Sequence, residues 1–155
     1  MDSPCDTRHH AWPLFLKTHS LLVDRLDADL QAGTGLPLTW FDVLVHVAAA
    51  PNQRVRMNDL SESLLLSKSG ITRLVDRMVA ADLIMRSSCA SDRRVVYAKL
   101  TTSGRDVFNK AAPIAARGVQ EHFARYLGRE GERVLVAILS RVIDAQSCAP
   151  TRSAG

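Results

Sequence analysis

The stretch SKSGITRLVDRMVAA, residues 67–81, decides the fold of this chain. Ser67 occupies the position of a helix N-cap, and the apolar residues after it recur at i, i+3, i+4 and i+7. This spacing predicts a helix with one buried stripe, formed by Ile71, Leu74, Val75 and Met78. Its other face carries side chains that can reach base edges and phosphates in a major groove, namely Lys68, Ser69, Thr72, Arg73, Asp76 and Arg77. The stretch therefore predicts a DNA-recognition helix.

The residues on either side of this helix predict a helix-turn-helix with a wing. Residues 59–65 form a short helix before it, and Leu66-Ser67 forms a tight turn. After it, alternating apolar residues predict strands over residues 83–87 and 95–100. The loop between these strands, SCASDRR, is polar and basic. A two-stranded hairpin beside a recognition helix is typical of a winged helix-turn-helix.

Four further helices complete the predicted fold. They cover residues 11 to about 31, residues 37–50, residues 105 to about 127, and residues 130 to about 146. Pro37 is favoured in a first helical turn, and Pro51 ends the second helix. The fold class is mainly α with a small β-hairpin wing. The predicted domains are an N-terminal tail and helix (1–36), a winged helix-turn-helix (37–102), C-terminal helices (103–146) and a small polar tail (147–155).

Composition excludes several classes of protein. A chain of 155 residues with 46 % apolar residues can bury one core and is not fibrous or disordered. No apolar run of about 18 residues and no signal peptide is present, so we expect a cytoplasmic protein. The three cysteines, Cys5, Cys89 and Cys148, lack disulfide or zinc-ribbon spacing. Without catalytic, cofactor-binding or metal-binding motifs, we expect no enzyme activity, no cofactor and no metal.

Charge is concentrated in the middle of the chain. Between Asn52 and Arg105 lie ten of the 20 basic residues but only five of the 16 acidic residues. The rest of the chain is close to neutral. A basic block between neutral flanks is the expected electrostatic footprint of a phosphate-binding module.

The order of elements resembles the MarR family of bacterial transcriptional regulators. The resemblance is carried by Val43-Leu44, Leu60, Leu66-Ser67-Lys68-Ser69, the run from Thr72 to Met78, Asp92-Arg93-Arg94, Leu100-Thr101 and Gly104-Arg105. It implies a homodimer held by N- and C-terminal dimerisation helices. Such a dimer binds a pseudo-palindromic operator on double-stranded DNA, and its recognition helices enter successive major grooves. Repression and release by a small aromatic or anionic ligand are habits of the family.

The resemblance also implies residue roles. Ser69, Thr72, Arg73 and Arg77 look like major-groove and phosphate contacts, with Lys68 supplying backbone charge. In the family's wing, Arg94 would enter the minor groove, oriented by Asp92, while Arg93 touches phosphate. The alternative for the recognition-helix charges is a solvated helix with intrahelical ion pairs.

An effector crevice between the dimerisation helices and the winged domain is a further implication of the resemblance. Trp12, His19, Trp40, His46 and Arg86 are candidates to line it. A urate-sensing branch uses a first-helix Trp with Asp and Arg near the winged domain, for which Trp12, Asp59 and Arg105 are candidate counterparts. The alternative places the tryptophans in the core or an interface and leaves the histidines hydrogen-bonded or exposed.

Four other functions stay open. Redox control would use Cys5 or, in the basic wing loop, Cys89. Zinc sensing would use His9, His10, His19, His46 and His122, whose spacing is not that of metal ligands. A winged-helix protein-interaction module would lack the wing arginine and expose an apolar recognition face. A nonspecific architectural DNA binder would respond to salt but not to base sequence.

Two departures from the family pattern affect the turns. Many members have Gly where this chain has Leu65, and many have Gly where it has Asp82. Asp tolerates the left-handed conformation, so Asp82 is easily accommodated. At Leu65, either the helix continues without a positive φ, or the turn carries strain that burial of the leucine offsets.

Overall fold

A computed structural model describes residues 10–88 and 95–147. Its helices and strands follow in the order α1 (Ala11–Thr34), α2 (Leu38–Ala49), β1 (Arg54–Arg56), α3 (Met57–Ser63), α4 (Lys68–Ala80), β2 (Ile84–Ser88), β3 (Val96–Leu100), α5 (Thr102–His122) and α6 (Gly128–Ser147). Short 3-10 turns lie at Pro51–Gln53 and Ala124–Tyr126. The chain forms two compact units that divide within α5, after Gly118. Among the described residues, no helix is both long and apolar enough to span a membrane.

The junction between α1 and α2 is fixed by a glycine and a borrowed cap. Gly35 takes a left-handed conformation (φ 68°) and donates its amide to the carbonyl of Gln31, which ends α1. Pro37 offers no side-chain cap to α2. Asp27 of α1 supplies one instead, because its carboxylate accepts the Leu38 amide at 2.7 Å. The start of α2 is therefore tied to α1.

A single apolar core holds the first unit together. The largest fully buried side chains come from α1, α2, α3, α4 and β2, and they include Leu30, Leu44, Leu60, Ile71, Met78 and Ile84. Phe41 of α2 stacks on Phe108 of α5 with ring centroids 6.0 Å apart. The predicted stripe of the recognition helix is confirmed, since all four of its members are buried.

The sheet has one strand more than the sequence predicted. β2 and β3 pair antiparallel as expected, and β1 adds to the other edge of β3, giving the order β1-β3-β2. The two-stranded prediction missed β1 because three residues give too short an alternation to recognise. Val55 and Ala98 face inward, whereas Arg54 and Arg56 are exposed.

The two turns with unusual residues both adopt positive φ. Asp82 has φ 54°, as the sequence predicted for the end of α4. Leu65 has φ 53°, so α3 does not continue through it. Its side chain is 92 % exposed, which makes the expected compensation by burial wrong. Leu65 therefore carries left-handed strain in the turn of the motif.

The end of α4 is joined to the start of α5 by close backbone packing. Thr101 donates its hydroxyl to the Asp82 carbonyl at 2.6 Å and accepts the Gly104 amide at 2.8 Å. A Cβ atom on Gly104 would lie 1.9 Å from the carbonyl oxygen of Leu83. Only glycine fits here, and the contact holds α5 against the exit of the recognition helix.

Candidate nucleic-acid interface

The recognition helix is capped as predicted. Ser67 has an extended backbone, and its hydroxyl accepts the Gly70 amide at 3.0 Å. The buried stripe packs this helix into the core, so its opposite face is fixed in orientation. The cap, the stripe and the turn therefore position one polar surface.

That polar surface is exposed along its whole length. All the predicted contacts on α4 are solvent-accessible, and they are Lys68, Ser69, Thr72, Arg73 and Arg77. The Thr72 hydroxyl donates to the Lys68 carbonyl at 2.7 Å, which leaves its lone pairs able to accept. The Ser69 hydroxyl lies 3.2 Å from that of Ser67. The first turns of the helix thus present hydroxyls beside basic side chains.

Asp76 pairs with the sheet and not along its own helix. Its carboxylate lies 3.0 Å from the guanidinium of Arg86 on β2, which also donates to the Thr72 carbonyl at 3.4 Å. Within the described residues, Arg73 and Arg77 have no carboxylate within 4.0 Å. The intrahelical ion pairs of the alternative interpretation are therefore not formed. Arg86 therefore links the wing sheet to the recognition helix through its contacts with Asp76 and Thr72.

The predicted contacts of the wing loop lie outside the described residues. This applies to Asp92, Arg93 and Arg94, and equally to the redox candidates Cys5 and Cys89 and to Cys148. The strands that lead into and out of the loop end at Ser88 and begin at Val96, and these two residues are paired. β2 and β3 are therefore paired up to the last described residues on either side of the loop.

A cavity of about 340 Å³ lies between α3, α4 and the sheet. It is lined by Arg56, Met57, Asn58, Asp59, Thr72, Arg86, Val95 and Val96. Three charged residues, Arg56, Asp59 and Arg86, therefore line it beside apolar ones. The structure thus brings together Asp59 and Arg86 of the seven effector candidates, in a cavity inside the winged domain.

The other five effector candidates do not line this cavity. Trp12 and His19 are exposed on α1, each stacked on Phe15 at centroid distances of 6.0 and 6.4 Å. Trp40 is half-buried against the core. The ring Nδ1 of His46 lies 2.8 Å from the Asp42 carbonyl oxygen, and Arg105 is exposed on α5.

One titratable group of α2 is perturbed. Burial raises the pKa of the Asp42 carboxyl above its ordinary value of 3.8, and the charge of His46 partly opposes this. Asp42 is one turn before His46 on the same helix and does not line the cavity. Within the described residues, no group of three or more His, Cys, Asp or Glu side chains is arranged to hold a metal ion.

Sequence reasoning missed a basic group on the outer face of the sheet. Arg54 and Arg56 of β1 stand beside Lys99 and Tyr97 of β3, as the register pairs them. We call these four residues the outer-face cluster. The signal was present in the alternation of RVR and VYAKL, where every second residue is basic or aromatic.

Comparison with known proteins assigns the family. A model described as MarR family matches residues 34–95. Over nearly the whole chain, the structure resembles AbsC, a MarR family transcriptional regulator from Streptomyces coelicolor, with a TM-score of 0.88. The two sequences are 32 % identical, and the match covers 96 % of this chain and 100 % of AbsC.

The chain belongs to the MarR family of transcriptional regulators. A second MarR family structure from Streptomyces coelicolor, Sco3205 in complex with DNA, is 29 % identical with a TM-score of 0.83, covering 92 % of each chain. The regulator MhqR of Bacillus subtilis (strain 168) is 28 % identical over 101 residues. This match covers 65 % of the chain and 66 % of MhqR, just under two thirds of that relative. MarR proteins are regulators and not enzymes.

Proposed function

We propose that this MarR protein is a homodimeric repressor that binds a pseudo-palindromic operator through α4 and releases it when a small anionic ligand binds. The observation that carries the proposal is the exposed polar face of α4, whose Arg73 and Arg77 have no described carboxylate partner. Ser69 and Thr72 provide hydroxyls on the same face. The solved complex of the related Sco3205 with DNA supports it.

The homodimer is supported by apolar side chains that each unit leaves exposed. On α1 these are Trp12, Leu14, Phe15, Leu16, Leu21 and Val23, and on α6 they are Val134, Val136, Ile138, Leu139, Val142 and Ile143. Such runs of exposed apolar residues mark protein interfaces. A dimer would also present two copies of α4 to successive major grooves.

The ligand response is supported by the cavity between α3, α4 and the sheet. An anion bound there would compete with Asp76 for the guanidinium of Arg86, which now lies 3.0 Å from that carboxylate. Loss of the ion pair between Arg86 and Asp76 would weaken the link between the recognition helix and the wing sheet. A ligand could therefore alter DNA affinity without touching the DNA.

The test of the proposal is the operator affinity of Arg73→Ala, measured by fluorescence anisotropy on a site selected with purified protein. Removing one groove contact should weaken binding by about 1–3 kcal/mol. Arg117→Ala, which removes another exposed arginine, on α5, is the control and should bind normally. Arg94→Ala in the wing loop should lose a similar amount and leave the dimer intact. If Arg73→Ala bound as tightly as the control, the assignment of α4 would be wrong.

A further inference from the structure

The outer-face cluster holds two guanidinium groups over one aromatic ring, with a lysine on the same face of the sheet. The guanidinium carbon of Arg54 lies 4.9 Å from the centroid of the Tyr97 ring, and that of Arg56 lies 6.0 Å from it. Arg56 also donates its Nε to the Tyr97 hydroxyl at 3.4 Å. Lys99 is paired with Arg54 across the strands and is exposed. The ring holds both guanidinium groups on one side of the sheet.

This arrangement of charge favours an anion as ligand. Like charges on neighbouring strands repel each other, and the face of one tyrosine offsets only part of that cost. Within residues 10–88 and 95–147, Arg54 and Lys99 have no carboxylate within 4.0 Å. An anion placed beside the two guanidinium groups and the Lys99 ammonium would offset this repulsion. The guanidinium forks and the phenol also match the geometry of phosphate oxygens.

The position of the cluster in the fold indicates which phosphate-containing molecule it would bind. Of the four residues of the cluster, Arg56 also lines the cavity that Thr72 of α4 lines, so this edge of the cluster lies near α4. Tyr97 pairs with Ser87, next to the end of the sheet from which the wing loop starts. Arg86 and Ala98 face the opposite way, toward α4. A duplex bound to α4 that extends beyond the sheet could bring its backbone phosphates to this edge of the outer face.

We propose that the outer-face cluster binds phosphates of the DNA backbone that flanks each operator half-site, beyond the wing. This inference rests on the proposed function, and it extends the footprint outside the bases that α4 reads. Phosphate contacts carry no sequence information, so the flank would add affinity and salt dependence for any base sequence.

The test compares two duplexes that contain the same operator. One ends at the operator, and the other extends by about one helical turn on each side. The double variant Arg54→Gln/Lys99→Gln removes two charges per subunit while keeping Tyr97 and Arg56. The control is Lys110→Gln/Arg117→Gln, which removes two exposed charges from α5. Thermal unfolding and sedimentation confirm that both variants fold and assemble like the parent protein.

Loss of up to four phosphate contacts per dimer should reduce the slope of log Kd against log salt by about 2–4 on the long duplex. Affinity for that duplex should fall about tenfold, while affinity for the short duplex stays unchanged. The control should behave like the parent protein on both duplexes. An unchanged salt slope would overturn the inference. An equal loss on both duplexes would also overturn it. Failure of the parent protein to bind any operator would instead refute the proposed function.

Discussion

At the scale of single residues, Leu65 stands out because it combines a left-handed backbone with an exposed side chain. Its φ is 53° and its side chain is 92 % exposed, so no buried surface offsets the strain. The turn of the helix-turn-helix needs this conformation, since the Leu66 amide reaches back to the Ser61 carbonyl at 3.0 Å. The hydrogen bonds of the turn are kept at the expense of a local conformational cost.

Leu65→Gly should therefore stabilise the protein. Glycine adopts positive φ freely, and relief of about 1–2 kcal/mol of strain exceeds the entropy that glycine adds to the unfolded chain, leaving a gain of about 0.5–1 kcal/mol. Urea unfolding measures this gain. Leu64→Gly is the control, because Leu64 has negative φ and is half-buried, and it should destabilise. A loss of stability in both variants would show that Leu65 is not strained.

Asp42 makes stability depend on pH. Because burial raises its pKa, the folded protein holds this proton more tightly than the unfolded chain. The contribution of protonated Asp42 to the stability of the folded protein is complete below the ordinary pKa of 3.8, and it is lost as pH rises through the raised pKa. Asp42→Asn should raise Tm at pH 7 by about 1–2 °C, a modest amount because the group is partly solvated.

The gain from Asp42→Asn should shrink as pH falls toward 4, and differential scanning fluorimetry across this range measures it. The exposed Asp24 of α1 offers the control, since Asp24→Asn removes a carboxylate that is not buried and should leave Tm at pH 7 unchanged. A gain of the same size at pH 4 and pH 7 would show that ionisation of Asp42 is not its cause.

At the scale of elements, the contact between Gly104 and Leu83 joins the recognition helix to α5. Gly104→Ala would force the two backbones apart, because the new Cβ would lie 1.9 Å from the Leu83 oxygen. We expect a loss of about 3 kcal/mol in the free energy of unfolding. In Gly131→Ala on α6, the new Cβ meets Leu127 at an ordinary 3.6 Å, and the helix should gain about 0.5–1 kcal/mol. Similar free energies of unfolding for both variants would show that the close packing of Gly104 on Leu83 does not stabilise the fold.

Sequence reasoning worked best for elements whose signals are local. The cap at Ser67, the stripe through Met78 and the positive φ at Asp82 all follow from neighbouring residues. Sequence reasoning failed for β1, because its three residues pair with a strand that is distant in the sequence. Arg56 and Tyr97, for example, are 41 positions apart. It also missed the pairing of Asp76 with Arg86, because the partner lies on another element.

At the scale of the whole molecule, a charged substitution among the exposed apolar residues of α6 tests directly whether these residues form the dimer interface. Val142→Glu would place a charge among Ile138, Leu139 and Ile143, so the dimer should weaken by about 2 kcal/mol or more. Sedimentation equilibrium measures the change, and operator binding should fall with it. Ser140→Glu introduces the same charge at an exposed polar position of α6 and should leave the dimer intact. Equal dissociation constants for the two variants would argue against this interface.

We propose that a symmetric dimer reads a specific operator through two copies of α4. Genome-wide selection of DNA fragments with purified protein would supply the site, and titration against the same site with one mutated half would test it at two salt concentrations. We predict a palindromic site whose affinity falls at least tenfold when one half is changed, with the loss persisting at both salt concentrations. Binding that depends on salt but is indifferent to the half-site mutation would contradict the claim and indicate nonspecific architectural binding.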